Sequence, residues 1–230
     1  MTWPTSHRVN SMIMIEPDFV TSTRASYDTL AADYAARFAT DLRQRPLERA
    51  LLTWFAELVG DGPVLDVGCG PGRTTGFLRS LGVDIAGLDL SPEFLAIARA
   101  ENPGVRFDEG SMLALPHPPG TFAGLLANYS LIHIPDEALP EVLAGFHRAL
   151  RPRGYLWVAF QVGDEPRIMT DAWGHEIDLV FRRRQPDQMA ALLSAAGFDV
   201  RARVVREPED DELTRHAVLL ARKRPETDLL

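Results

Sequence analysis

The chain has 230 residues, 46% of them hydrophobic, and a formal charge of −8. That is one domain, or one domain with a small cap, with enough apolar mass for a three-layer core. The negative balance argues against a general nucleic-acid footprint, and no apolar run nears the roughly 18 residues of a membrane span. The single cysteine, Cys69, makes an internal disulfide impossible and the cytoplasm the expected compartment.

Residues 1–22 show no periodicity and contain Pro4 and Pro17, so a flexible arm is expected; Met12 and Met14 are alternative starts, and no secretory leader is legible. Residues 23–60 read as an N-terminal helical lid. Its first helix, 26–38, carries Tyr27, Leu30, Tyr34 and Phe38 at helical spacing, and its second, 46–59, carries Leu47, Leu51, Trp54, Phe55 and Leu58. The plainer reading of both stripes is packing against a core. Asp61-Gly62-Pro63 then turns into a unit expected to span 61–223.

That unit opens with a short buried strand, Val64 to Val67, then Gly68, Gly70 and Gly72, then a helical run, Thr74 to Leu81. A strand that turns into a helix through glycines lets a ligand lie against bare backbone. The dinucleotide fingerprint would place its third glycine at 73, where this chain has Arg73. Asp66, two residues before the first glycine, would repel a pyrophosphate; an ammonium and a sulfonium would suit it. The run Asp66-Val67-Gly68-Cys69-Gly70-Pro71-Gly72 resembles the first motif of class I S-adenosylmethionine-dependent methyltransferases of the small-molecule type.

The resemblance is extended by the strand over 84–91, which ends at Asp89, an acid placed to accept from two ribose hydroxyls with Leu90 beside it. Ser91-Pro92 opens the next helix as cap and first-turn proline. In the family, a YDxxAxxY segment closes over S-adenosyl-L-methionine; on that resemblance Tyr27, Tyr34 and Arg37 face the methionine end of the cofactor. Ser111 stands where an acid usually binds the adenine amino group, and Met112 offers the ring an apolar face. The fourth strand, from Phe122, has Ala123 where relatives often carry an acid. Its exit residues Asn128, Tyr129, Ser130 and His133 fall on the reaction face. They are not the Asn/Asp-Pro-Pro-aromatic motif of base-flipping DNA enzymes.

Farther on, Asp136 is expected to cap a helix running to Leu150, and 155–160 is the fifth strand. Residues 161–186 are expected to form a substrate cap, with Arg182-Arg183-Arg184 either a solvated strand face or a contact for an anionic substrate. A helix over 187–196 and a closing hairpin, 198–205 with 214–223, complete the chain. The whole predicts an α/β fold: a three-layer, doubly wound, Rossmann-like sheet of seven strands with the last antiparallel. His133 is the first candidate for a general base and His175, beside Glu176, the second; a histidine bonded to local backbone is the plainer reading of His133. No metal-ligand spacing is present. The implied partner is a small-molecule acceptor, without nucleic acid or membrane, in a monomer or homodimer. A nicotinamide-dependent oxidoreductase, and a cyclase or binding module without methyl transfer, stay open as alternatives.

Overall fold

The computed structural model describes residues 16–38, 41–209 and 212–225. Three helices come first: α1 (Asp18–Phe38), α2 (Asp41–Gln44) and α3 (Pro46–Val59). An alternating series follows: β1 (Val64–Val67), α4 (Arg73–Ser80), β2 (Ile85–Asp89), α5 (Pro92–Glu101), β3 (Arg106–Glu109), β4 (Phe122–Asn128), α6 (Leu139–Ala149) and β5 (Leu150–Gln161). The chain ends with β6 (Arg167–Ala172), β7 (His175–Phe181), α7 (Pro186–Ala195), β8 (Phe198–Arg206) and β9 (His216–Lys223).

Seven strands form one sheet in the order β3-β2-β1-β4-β5-β9-β8. β9 runs antiparallel to both neighbours, while the pairs from β3 to β5 are parallel. The strand order reverses between β1 and β4, and a crevice opens there outside the strands' carboxyl ends.

Side-chain alternation fixes which face each strand residue feeds. Leu65, Leu125, Leu156 and Val158 point into the core covered by α6 and α7, around Phe146 and Leu193. Val64, Leu126 and Trp157 point the other way, under Leu52 and Phe55 of α3 and Leu78 of α4. The central strands are buried on both faces, so they read as continuous apolar runs. β8, at the edge, alternates between covered and exposed positions.

Three stretches depart from the sequence reading. The expected arm over 1–22 is helical from Asp18, where Val20 N donates to Pro17 O (2.9 Å); residues 1–15, with Met12 and Met14, lie outside the described residues. Asp136 does not cap α6, which begins at Leu139 after Ala138. Its carboxylate instead accepts from Arg184 Nε (3.0 Å) and Nη2 (2.7 Å). Arg184 is therefore no solvated strand face: it is buried, and also donates to the carbonyls of Leu131 (3.1 Å) and Ile134 (2.6 Å).

Residues 161–186, expected as a cap, contain a two-stranded antiparallel hairpin, β6 with β7. Ala172 pairs with His175 across the two-residue turn Trp173-Gly174, whose φ angles are 53° and 87°. Positive φ at both central residues is the type I′ geometry that matches strand twist. The hairpin packs on α1 through Leu30, Ala172, Ile177 and Leu179. Ser22 Oγ donates to Asp178 Oδ2 (2.6 Å), and Asp178 N donates to Ser26 Oγ (2.9 Å). Helix and hairpin thus form one roof over the sheet's carboxyl edge.

Candidate functional site

Under that roof lies a cavity of about 490 Å³ that reaches from the glycine loop to the ends of β4 and β5. Its floor at one end is backbone. Gly68, at φ 75°, sits so close to Ser130 that an added Cβ would fall 2.3 Å from the Ser130 Cβ. Gly68 N (2.7 Å) and Cys69 N (3.1 Å) both donate to Leu88 O, which ties the loop to β2. Cys69 itself is buried with Leu95, Ala98 and Phe107, a packing residue.

Two carboxylates flank this loop. Asp66 is 1% exposed; its Oδ2 accepts from Thr75 Oγ1 (2.7 Å), while its Oδ1 is buried with no hydrogen-bond partner. Burial raises its pKa to about 7, against the Thr75 hydrogen bond, which lowers it. An orphaned carboxylate oxygen in a cavity wall is a costly arrangement unless a cation or donor completes it. Asp89 accepts from Gly70 N (2.7 Å) and Ser91 N (2.9 Å). Two of the roughly four lone-pair sites of that carboxylate remain for a ligand. Burial pushes the Asp89 pKa up, opposed by its backbone hydrogen bonds. Ser91 Oγ accepts from Phe94 N (3.1 Å) and so caps α5 as expected.

Beyond Asp89, Leu90, Ser111 and Met112 line the same end. Ser111 Oγ accepts from Leu113 N (3.2 Å), and Leu90 O accepts from Arg24 Nε (3.2 Å). Arg24, which sequence reasoning did not single out, is held in turn by both oxygens of Glu16 (2.7 and 2.6 Å).

The roof supplies rings. Tyr27 and Tyr34 line the cavity, each packed against Phe94 with centroids 5.3 and 5.2 Å away. Arg37 is absent from that wall: it is exposed and stacks over Trp173 at 4.8 Å. The resemblance implies that Arg37 faces the cofactor; instead its guanidinium is drawn over the outer side of the hairpin turn by the Trp173 ring.

The exit of β4 is more heavily bonded than its position in sequence suggests. Asn128 lines the cavity, yet its Oδ1 accepts from Trp157 Nε1 (3.0 Å) and its Nδ2 donates to Glu48 and Thr74 (both 3.2 Å). Tyr129 has φ 56°, and its hydroxyl meets His216 Nδ1 at 2.9 Å. Arg206 Nη2 points at the same nitrogen (3.3 Å), so Nδ1 accepts and the Tyr129 hydroxyl donates. Burial raises the Tyr129 pKa, which keeps that proton in place.

His133 lines the cavity and is nine-tenths buried. Its Nδ1 lies 3.1 Å from Val180 O, an acceptor only, so Nδ1 carries the proton; Nε2 accepts from the Tyr27 hydroxyl at 2.8 Å. Burial lowers its pKa to about 4, so the ring is neutral at pH 7 with its one lone pair engaged. His175 lies outside the cavity wall, where its Nε2 is 3.0 Å from Asp33 Oδ2 on α1. Its place in the hairpin puts it outside the cavity.

Ser130 lines the cavity as its place at the exit of β4 implied, whereas sequence reasoning missed Gln161, Arg206, Glu212 and His216 as cavity residues. Gln161 was findable, since it ends β5 and the carboxyl ends of strands face the crevice. Glu212 and Arg206 form a two-pronged ion pair. Desolvation works to raise the Glu212 pKa, but Arg206 and its other partners hold it at about 2. Among the described residues no group of three or more His, Cys, Asp or Glu is placed to hold a metal ion, and no helix is long and apolar enough to cross a membrane.

The methyltransferase domain family matches residues 64–154. Trans-aconitate 2-methyltransferase of Methylobacterium nodulans is 40% identical over 131 residues, 56% of this chain and 48% of that protein. Demethylmenaquinone methyltransferase of Chlorobaculum tepidum is 29% identical over 136 residues, 59% of this chain and 53% of that protein. The chain thus spans about half the length of these curated relatives. Among solved structures, the Burkholderia thailandensis 1,6-didemethyltoxoflavin-N1-methyltransferase with bound 1,6-didemethyltoxoflavin and S-adenosylhomocysteine superposes with a TM-score of 0.70. It is 23% identical and covers 94% of this chain and 93% of its own, a likeness of fold.

Proposed function

We propose, from the premise that residues 64–154 form a class I methyltransferase domain, that the protein transfers a methyl group from S-adenosyl-L-methionine to a small molecule. The cofactor, when bound, supplies a methyl group on a positively charged sulfur. The chain's share of the work is to bind, orient and exclude water, worth roughly 7–11 kcal/mol in the best intramolecular analogues.

The observation that carries this reading is the unpartnered, buried Oδ1 of Asp66 beside the bare loop at Gly68 and Gly70. Asp66 would take the ammonium of the methionine end, and the two remaining lone-pair sites of Asp89 would take the ribose hydroxyls. Leu90, Ser111 and Met112 would line the adenine, with Ser111 a weaker acceptor than a carboxylate. Tyr27 and Tyr34 would offer ring faces near the sulfonium, where cation–π attraction contributes about 0.5–2 kcal/mol.

No free base is needed for an acceptor that is already anionic or a neutral amine. The neutral His133, with Nε2 facing Tyr27, fits a positioning role better than proton abstraction. The reading extends to a cytoplasmic enzyme acting as a monomer or homodimer, without nucleic-acid or membrane partners. Calorimetry with S-adenosylmethionine and S-adenosylhomocysteine tests it, followed by label transfer from the methyl group to candidate acceptors, trans-aconitate among them. Micromolar binding of both nucleosides with no binding of the reduced nicotinamide nucleotide is expected. Absence of binding to either nucleoside overturns the proposal, and binding without label transfer to any acceptor favours the cyclase or binding-module alternative.

A further inference from the structure

The end of the cavity away from the glycine loop has a different charge pattern. There Arg206 is paired with Glu212. Arg183 and Arg167 also line the cavity, and neither has a side-chain hydrogen bond or ion pair among the described residues.

The backbone fixes where Arg183 stands. Arg182 N donates to Ile132 O (2.7 Å) and Arg184 N donates to Gln161 O (3.2 Å). Residues 182–184 therefore bridge the exit of β4 and the end of β5, with the half-buried Arg183 between them. Its stem packs closely on Gly163, where an added Cβ would meet the Arg183 Cδ at 2.9 Å. Arg167 pairs with Phe181 at the open end of the hairpin, two residues from Arg183. Beside them Gln161 Oε1 is buried with no partner. The neighbouring wall, Met169, Leu179 and Phe181, is apolar.

Guanidinium groups at an apolar wall favour a planar anion that accepts two parallel N–H bonds, and a carboxylate has that shape. An unmatched amide oxygen next to them calls for a hydrogen-bond donor on the same ligand. We propose that the acceptor is a small organic acid whose carboxylate is gripped by Arg183, with Arg167 beside it, and whose neighbouring hydroxyl or amino group donates to Gln161 Oε1. The identification as a methyl acceptor rests on the methyltransferase reading; the carboxylate site itself does not.

Calorimetry on the full chain tests this, with malate, tartrate, glutamate and salicylate as probes, each against its amide and against inorganic phosphate. Titrations are run with and without saturating S-adenosylhomocysteine. At least one acid is expected to bind ten-fold or more tighter than its amide. Arg183→Gln should weaken that acid at least ten-fold and Arg167→Gln about three-fold, with Arg183→Lys recovering part of the loss. Affinity of Arg183→Gln for S-adenosylhomocysteine should stay within two-fold, which also reports that the variant is folded; if it is not, Arg183→Lys and Arg167→Gln carry the test. Binding of no acid in either state, equal binding of acids and amides, tighter binding of phosphate, or unchanged acid affinity in the Arg183 and Arg167 variants overturns the proposal. Failure of S-adenosylhomocysteine to bind, with acid binding intact in the unloaded protein, would sink the methyltransferase reading and leave the carboxylate site standing.

Discussion

The two ends of the cavity are built from different materials. At the glycine loop the floor is bare backbone flanked by two carboxylates, the buried Asp66 and the half-buried Asp89, carried on two adjacent parallel strands. At the far end the wall is side chains drawn from α1, the hairpin, and the ends of β4, β5, β8 and β9. The first kind of site tolerates almost no change in covalent structure, because the positions of its atoms are set by the sheet. The second can be re-cut one side chain at a time, so a fold can keep one cofactor and vary its acceptors.

The sharpest way to break that contrast is Gly68→Ala. The added methyl falls inside the Ser130 side chain at a left-handed φ, so cofactor affinity should drop at least a hundred-fold by calorimetry, or the melting temperature should fall by several degrees. A variant that binds normally would mean the loop is not the rigid floor described above. Next comes Asp89→Ala, which removes the anchor of Gly70 N and Ser91 N together with the acceptor proposed for the ribose. A loss of ten- to a hundred-fold in S-adenosylhomocysteine affinity is expected, since charge-assisted bonds of this type are worth roughly 1.5–3 kcal/mol each.

Asp66→Asn should weaken cofactor binding about ten-fold while raising the melting temperature of the free protein. The sign follows from linkage. With the folded pKa at about 7, above the ordinary 3.8, the folded chain keeps a proton that the unfolded chain loses. Stability from this group is present below about pH 4 and is lost as the pH rises to 7, whereas affinity for a cation rises over that window and levels off above it. Thermal scans and calorimetry at pH 5.5 and 8 check both trends, and Asp66→Asn should flatten both. The smallest effect is expected from Tyr27→Phe, which keeps the ring but removes the donor to His133 Nε2. Turnover should change by a few-fold with cofactor affinity unchanged; a loss above a hundred-fold would assign Tyr27 a direct part in the reaction.

Legibility in sequence follows the same division. Asp66, the three glycines and Asp89 sit on elements whose order and spacing are local, so the first end of the site and the seven-stranded sheet were readable. The hairpin was not. Its outward positions leave a weak alternation over 167–172, and its turn places Trp173, not the usual asparagine or aspartate, at positive φ ahead of Gly174. Arg37, Asn128 and His175 carry the right chemistry at the right sequence distance, but Trp173, Trp157 and Asp33 already claim them. Arg184 misled for the opposite reason: three consecutive arginines suggest solvent, and only the fold reveals the three carbonyl and carboxylate acceptors that draw one of them inside.

The join between α1 and the hairpin also sets an order of opening. Ser22, Ser26 and Asp178 can trade their mutual bonds for bonds to water at little net cost, and α1 buries only Val20, Ser26, Leu30 and Ala31. Amide protons of α1 should therefore exchange with deuterium long before those of β1 and β4, through a partial unfolding that leaves the sheet intact. A bound molecule would then depart by a local breath of the protein, at a rate set by one helix rather than by global stability.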